Sequence, residues 1–252
     1  MNSRHRRPFL IAAVALAGLA GLAPAQAWSW GFGGGERIKG SGETTSEARP
    51  LTGFDSIRLA GSFKVQVRQA GGETVEVRAD RNLLPYVETR LEGRTLEITT
   101  KKGYSLSASA PIQINIGMAV LRQLSVDGAG DIRVEAMKTP ELQVSIAGSG
   151  DVRFAELMSE KVGLKVAGSG DIQARGRANS VHVSIAGSGD VKVSELLADE
   201  VKVSIAGSGD AQVQAAKALK VSIAGSGDVR YLGSPEISSS VAGSGSIKRM
   251  GN

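Results

Sequence analysis

The sequence lacks cysteine altogether and contains only two histidines, at positions 5 and 182. Without cysteine, disulfide frameworks, thiolate zinc sites, cysteine nucleophiles and iron–sulfur clusters are all excluded. Aromatic residues make up only 4% of the 252 residues, and there are only 7 prolines. The core must therefore be filled mainly by short aliphatic side chains.

The N-terminus carries the features of an export signal. Arg4, Arg6 and Arg7 precede an apolar stretch over residues 9–22, and Ala25-Gln26-Ala27 forms an A-x-A cleavage site. This pattern predicts a signal peptide over residues 1–27. The paired arginines also resemble a twin-arginine signal, so that route and the general secretory route both stay open. We expect an exported protein, either periplasmic or secreted to the cell surface.

The mature chain is close to neutral. Cleavage removes three arginines and no acidic residue, so the net charge falls from +5 to +2. No run of one charge sign is long enough to follow a phosphate backbone, so nucleic acid is not an expected partner. No later segment approaches the roughly 18 apolar residues of a transmembrane helix, which predicts a mature chain without such a segment. Residues 28–50, with three consecutive glycines and a polar run, are predicted to form a flexible leader.

Glycine is abundant, with 33 residues, and most of it belongs to an internal repeat. The string Ala-Gly-Ser-Gly-Asp occurs five times, with a degenerate copy before these and a last copy that lacks the Asp. The motifs end at residues 131, 151, 171, 190, 210, 228 and 246, at spacings of 20, 20, 19, 20, 18 and 18 residues. An alternating strand pattern lies on each side of every motif, so each period supplies short strands around a glycine corner. Polar segments such as 194–200 and 215–219 fit an outer loop or a single helical turn.

Two architectures fit this repeat, a meander of hairpins and a parallel β-helix in which each period is one coil. Equivalent positions hold the same residue types: one column is almost entirely serine, and its neighbour is entirely valine or isoleucine. Stacked strands about 4.8 Å apart require such columns, with the aliphatic residues inside. The sequence therefore predicts an all-β, right-handed parallel β-helix, or solenoid, with about 18–20 residues per coil.

The glycine corner and the less regular N-terminal half give two further expectations. Both glycines of the corner are expected to adopt positive φ, and the following Asp is expected to accept hydrogen bonds from amides of its own corner. Residues 51–122 are predicted to form irregular first coils that cap the regular coils of residues 123–252. A separate small β domain is the alternative for residues 51–122.

The repeated V-S-I-A-G-S-G-D-V coils, preceded by the segment Phe54-Asp55-Ser56-Ile57-Arg58-Leu59-Ala60-Gly61-Ser62-Phe63-Lys64-Val65, resemble the bacterial auto-transporter adhesin, head GIN domain family. The resemblance covers about residues 51–248. It implies a right-handed β-helix on an exported protein of uncharacterised activity, and it supplies no catalytic residues to carry over.

Stacking of the coils predicts a ladder of carboxylates beside a ladder of hydroxyls. We interpret both as a candidate face, formed by Asp131, Asp151, Asp171, Asp190, Asp210, Asp228, Ser145, Ser184, Ser204 and Ser222. Neighbouring carboxylates at roughly 5–7 Å repel one another by about 0.6–0.8 kcal/mol per pair in water, so the ladder needs compensation. Hydrogen bonds within each corner are the favoured explanation. Collection of Ca²⁺ is the alternative, although the nonapeptide spacing of calcium-binding β-rolls is not found here.

A catalytic site is not predicted. His182 occupies a single unrepeated position, and Gly-Ser-Gly-Asp is not a nucleophile elbow. The favoured hypothesis is an exported, non-enzymatic, adhesin-like binding or structural protein of the bacterial envelope, with no cofactor. Its partner would be an envelope polymer, a glycan, a protein surface or a second copy of itself. A polysaccharide-acting lyase or hydrolase and a calcium-binding repeat protein are the alternatives.

Overall fold

The computed structural model describes residues 35–251. The predicted signal peptide, residues 1–27, and residues 28–34 of the predicted leader lie outside this described part. Strands make up most of it, with one short 3-10 turn at Leu84–Tyr86. The strands are β1 (Glu36–Lys39), β2 (Thr44–Arg49), β3 (Ser56–Ala60), β4 (Lys64–Gln69), β5 (Thr74–Asp80), β6 (Val87–Glu92), β7 (Thr95–Thr100), β8 (Tyr104–Ser107), β9 (Gln113–Met118), β10 (Gln123–Gly128), β11 (Asp131–Gly148), β12 (Val152–Gly168), β13 (Ile172–Gly187), β14 (Val191–Gly207), β15 (Ala211–Gly225), β16 (Val229–Leu232), β17 (Glu236–Gly243) and β18 (Ile247–Arg249).

The repeats stack as coils of a parallel β-solenoid of about six turns. Each of β11 to β15 runs through nearly a whole coil, and each pairs in parallel with the strand of the next coil. The pairing joins equivalent residues, so Ile146 lies beside Val166, and Val166 beside Ile185. The predicted β-helix is confirmed, and the hairpin meander is excluded.

Two inward aliphatic columns explain why these segments form half-buried strands. The last two inward positions before each of the first six corners are at most 3% exposed. They are Leu124, Val126, Val144, Ile146, Leu164, Val166, Val183, Ile185, Val203, Ile205, Val221 and Ile223. Burying such a side chain contributes roughly 1.5–3 kcal/mol relative to leaving it exposed. Since the side chains alternate along a strand, the neighbouring positions face outward.

The two glycines of each corner have different roles. The first glycine adopts positive φ, for example +135° at Gly168. The second, such as Gly170, is not among the positive-φ glycines of the described chain, so the expectation of two positive φ values is wrong. A Cβ on Gly170 would overlap the carbonyl oxygen of Gly150 and lie 2.9 Å from Cγ2 of Ile146. Glycine is required there because the preceding coil leaves no room for a side chain.

The polar segments 194–200 and 215–219 are part of strands, so the predicted outer loop or helical turn is wrong. Residues 194–200 lie within β14, and residues 215–219 lie within β15. Most residues of these segments pair in parallel with an adjacent coil. Leu196, Ala198, Ala215 and Leu219 supply inward side chains that are at most 1% exposed.

The N-terminal region continues the solenoid and then covers its end. Strands β3 and β4 stack on β10 and β11, and β7 and β9 stack in turn on β3 and β4, all in parallel. Three antiparallel pairings, β6 with β7, β5 with β9 and β2 with β5, close this end. The buried residues of this region belong to the same hydrophobic core as the coils. Residues 51–122 are therefore continuous with the regular coils.

The prediction of a flexible leader is wrong for residues 36–49. Strand β1 pairs with β8, and β2 pairs with β5 over six residues. The turn between β1 and β2 is also fixed, because the buried carboxylate of Asp80 accepts a hydrogen bond from the Gly42 amide at 3.2 Å. Distant pairing therefore orders a segment whose own sequence is polar. Within residues 35–251, no helix is long and apolar enough to cross a membrane.

Candidate functional site

The predicted aspartates form one vertical column immediately after the glycine corners, and each is half-buried. In the coils from Asp151 onward, one carboxylate oxygen accepts a hydrogen bond from the backbone amide of the equivalent residue in the next coil. The distances are 3.2 Å from Asp171 to Asp151, 3.1 Å from Asp190 to Asp171, 3.1 Å from Asp210 to Asp190 and 2.8 Å from Asp228 to Asp210. The expected bonds within one corner are thus replaced by bonds between coils.

The first and last aspartates of the column have different partners. Asp131 lies beside Lys64 of β4. At the other end, Asp228 accepts hydrogen bonds from both the hydroxyl and the amide of Ser246, at 2.8 and 2.9 Å. These two bonds lower the pKa of Asp228, although partial burial opposes them, and Lys248 and Arg230 lower it further.

A second column, two residues after the aspartates, carries cations and amides. Its members lie in register on successive coils and are Arg133, Arg153, Gln173, Lys192, Gln212, Arg230 and Lys248. Arg153 bonds Asp151 at 3.0 Å, and the Lys192 ammonium lies 3.2 Å from both Asp171 and Asp190. Hydrogen bonds to Asp190 and Asp171 raise the pKa of Lys192. This cation column therefore compensates the charges of Asp151, Asp171 and Asp190.

The cation column lines a groove of about 470 Å³ on the side of the solenoid. The coil of β13 is one residue shorter than its neighbours. Its pairing with β12 shifts register across Arg175, and its pairing with β14 shifts register between Gln173 and Arg175. Four basic residues line the groove with a single acidic residue, Glu195, which bonds Arg175 at 3.1 Å. The full lining is Arg133, Arg153, Phe154, Ala155, Gln173, Ala174, Arg175, Lys192, Ser194, Glu195 and Gln212.

The predicted serines form another column, on the strand that precedes the corner. Ser125, Ser145, Lys165, Ser184, Ser204, Ser222 and Ser240 lie in register on successive coils. The hydroxyl of Ser145 donates to Ser125 at 3.1 Å. In each coil the Ala-Gly-Ser-Gly corner separates this column from the aspartates. The ten predicted residues therefore form two separate columns, and their role in binding stays a prediction.

Neither the cation column nor the position of Arg175 was predicted from the sequence. The signal for the cation column was present, because Arg, Lys or Gln stands two residues after each motif from Asp131 onward. The position of Arg175 was not readable, since it depends on a register shift between coils. His182 lies beside Lys202 on a different column, and partial burial and this lysine lower its pKa. Among residues 35–251, no group of three or more His, Asp or Glu side chains is placed to hold a metal ion.

Comparisons with known proteins give a family and similar folds. The family model described as "Putative auto-transporter adhesin, head GIN domain" matches residues 53–235. A putative lipid binding protein from Parabacteroides distasonis is 27% identical with a TM-score of 0.74, over 86% of this chain and 100% of that chain. A putative adhesin from Bacteroides fragilis is 24% identical with a TM-score of 0.79, over 84% and 100%. A putative adhesin from Parabacteroides merdae is 22% identical with a TM-score of 0.70, over 86% and 100%. No curated protein sequence matches the chain significantly.

Proposed function

The chain belongs to the putative auto-transporter adhesin, head GIN domain family, and from this premise we propose that it is an exported, non-enzymatic binding protein of the bacterial envelope. Its ligand would be an anionic polymer of the envelope, held along the cation column and the groove beside Arg175. The proposal needs no cofactor. The observation that carries it is the lining of the lateral groove, which holds four basic side chains and one acidic one; three of the basic side chains, Arg153, Arg175 and Lys192, are held in place by ion pairs.

The geometry of the cation column suits an extended acidic chain. Its members repeat with the strand spacing of about 4.8 Å along the solenoid, so several charges of one polymer can be met in sequence. Arginine offers a planar set of donors that fits a carboxylate, and the glutamines between the cations can bond hydroxyls. The exposed Ala155 adds apolar surface to the same groove. Carboxylated glycans offer carboxylates, hydroxyl groups and apolar surface, which are the three kinds of group that this groove can contact.

The aspartate column supports a binding role over catalysis. A carboxyl group that acts as a general acid needs a raised pKa, as a rule through burial away from donors. Asp228 instead has a lowered pKa, because the Ser246 hydroxyl and amide donate to its carboxylate. The other aspartates from Asp151 onward each use one carboxylate oxygen in a hydrogen bond between coils. A hydrolase that used Asp228 as its general acid would therefore lack a protonated donor near neutral pH.

Relatives support the adhesin-like part of the proposal by name. Two structural neighbours are named putative adhesins and another a putative lipid binding protein. A lipid surface is a different class of ligand, so binding to lipid vesicles is measured in the same test.

The test measures binding of the purified protein to polygalacturonate, to a neutral glucan and to vesicles of anionic phospholipid. We expect salt-sensitive binding to polygalacturonate and weak binding to the glucan. Arg153→Ala combined with Lys192→Ala should weaken polygalacturonate binding at least about tenfold, which corresponds to 1.4 kcal/mol. The matched control, Lys202→Ala with Lys220→Ala, removes the same charge from another column and should bind as the parent protein does.

Three results would contradict the proposal. Equal losses in the two double variants would show that overall charge, not the groove, determines binding. Binding to vesicles without binding to the polyuronate would favour a lipid surface. Release of shortened, unsaturated or reducing products from the polymer would establish an enzyme.

A further inference from the structure

Strand β17 is an unprotected edge at the C-terminal end of the solenoid. All eight of its residues are exposed, and within residues 35–251 it pairs only with β15. Ile237 and Val241 are 41% and 43% exposed, and only Leu91 and Met158 join them as exposed large hydrophobic residues of the described chain. Both continue inward columns, since Ile237 lies beside Leu219 and Val241 beside Ile223. An exposed edge strand with two large apolar side chains and only one charged residue, Glu236, is a template for pairing with another strand.

The other edges of the solenoid carry charges that oppose such pairing. Strand β6, at the N-terminal end, exposes Arg90 and Glu92, which bond each other at 3.0 Å. Strand β18 carries Lys248 and Arg249, and charged side chains of this kind protect an edge. Pairing of the C-terminal end with the N-terminal end would therefore set β17, with its one charged residue, against an edge where two charged side chains flank a single exposed apolar one, Leu91. The apolar edge β17 is best matched by another copy of itself.

The sequence of β17 is self-complementary. It reads Ile237-Ser238-Ser239-Ser240-Val241 at its centre, which is nearly symmetric about Ser239. In an antiparallel pair of two β17 strands centred on Ser239, Ile237 of each copy lies opposite Val241 of the other. The register sets Glu236 opposite Ala242, so no like charges meet. An inward residue stays inward under this two-fold rotation, and the hydrophobic columns of the two solenoids become continuous.

We propose that the C-terminal ends of two copies join by antiparallel pairing of β17 around Ser239, which gives a dimer of end-to-end solenoids. The two lateral grooves would then lie on one elongated particle. Such a dimer would bind a long polymer through two equivalent sites, and this gain is independent of which polymer is bound.

The mass of the purified protein in solution, measured by light scattering between about 1 and 100 μM, tests the proposal. We expect a dimer, and at least a tenfold rise in the dimer dissociation constant for Ile237→Lys and for Val241→Lys. Both side chains are already about two-fifths exposed in a single chain, so the variants should still unfold in one cooperative thermal transition, at the temperature that the parent shows at concentrations where it is monomeric. Met158→Lys, a matched change at a side chain 49% exposed elsewhere, should remain dimeric.

A disulfide tests the register, because the natural chain has no cysteine. Paired residues of antiparallel strands have Cα atoms about 4.5–5.5 Å apart, within the reach of a disulfide. Ser239→Cys should therefore form a covalent dimer on oxidation. Ser222→Cys lies one coil further in, beside Ser240, and should stay monomeric under the same conditions. A monomer at all concentrations, lysine variants that dimerise like the parent, or equal cross-linking at both cysteines would overturn the proposal.

Discussion

The carboxylate of Asp171 connects three coils. One of its oxygens accepts the amide of Asp190 at 3.1 Å, and the other lies 3.2 Å from the Lys192 ammonium. Its own amide donates to Asp151. The repeated aspartate therefore acts as a clasp between consecutive corners. This role explains why an acceptor recurs once per coil, whether or not a ligand meets the column.

Removing the acceptor at Asp171 should weaken the solenoid. We expect Asp171→Ala to lower the free energy of unfolding by about 0.5–1.5 kcal/mol, since the Asp190 amide loses its partner. Asp171→Asn should cost less, because its side-chain oxygen still accepts the same bond. Urea unfolding measures both, with the exposed Glu156→Ala as a control that should change little. Equal losses for Asn and Ala would show that the charge matters more than the acceptor.

Single residues also mark the limit of what could be read from the sequence. The spacing of the aspartates and serines was enough to predict their columns, since both are set by the repeat. The second glycine of the corner was misinterpreted, because the contact that requires it comes from the preceding coil. Arg175 was missed for the same reason: its position depends on which residues of the neighbouring coils lie opposite.

At the scale of elements, the repeat predicted the coils far better than the N-terminal cover, by which we mean strands β2, β5 and β6 that close the end of the solenoid. The aliphatic columns of β10 to β15 follow from alternation alone. Strand β2, Thr-Thr-Ser-Glu-Ala-Arg, has no inward hydrophobic column, and none of its residues is fully buried. Its strand conformation comes from pairing with β5, which is distant in sequence. The C-terminal end of β5 then supplies Asp80, whose buried carboxylate holds this cover together.

The hydrogen bonds of Asp80 should make the N-terminal cover sensitive to acid. The Ser109 hydroxyl and amide, and more weakly the Gly42 amide, donate to this carboxylate and lower its pKa against the opposing effect of burial. A group with a lowered pKa stabilises the fold above its unfolded value of about 3.9, and this contribution disappears as the pH falls through the folded pKa. Asp80→Asn should thus be less stable than the parent at pH 7, and the difference should shrink by pH 3.

Melting temperatures of Asp80→Asn and the parent at pH 7 and pH 3 measure this effect. Comparison of the two proteins at each pH cancels the titration of the other carboxylates. Hydrogen exchange should locate the change in residues 40–49 and 104–109. If the difference in melting temperature between the two proteins did not change with pH, the charge of the Asp80 carboxylate would not be what stabilises the cover.

Residues 35–251 form a stack in which each coil contacts mainly its two neighbours. The contacts of β12, β13 and β14 are dominated by the adjacent coils. Stability of such a protein is approximately a sum of coil terms and interface terms. The binding proposal depends on the same property, because the cation column exists only while consecutive coils keep their register.

Removal of one whole coil should therefore leave a folded, shorter solenoid. Deletion of residues 191–210 joins Asp190 directly to Ala211, so β13 meets β15 with glycine corners, inward columns and the aspartate clasp in register. We expect a β-rich circular dichroism spectrum and one cooperative thermal transition at a lower temperature. Deletion of residues 191–200 removes only half of a coil and breaks the columns, so this control should fail to fold. If both deletions failed, coil stacking would depend on contacts beyond nearest neighbours. If both folded, the register of the columns would not be what holds the solenoid together.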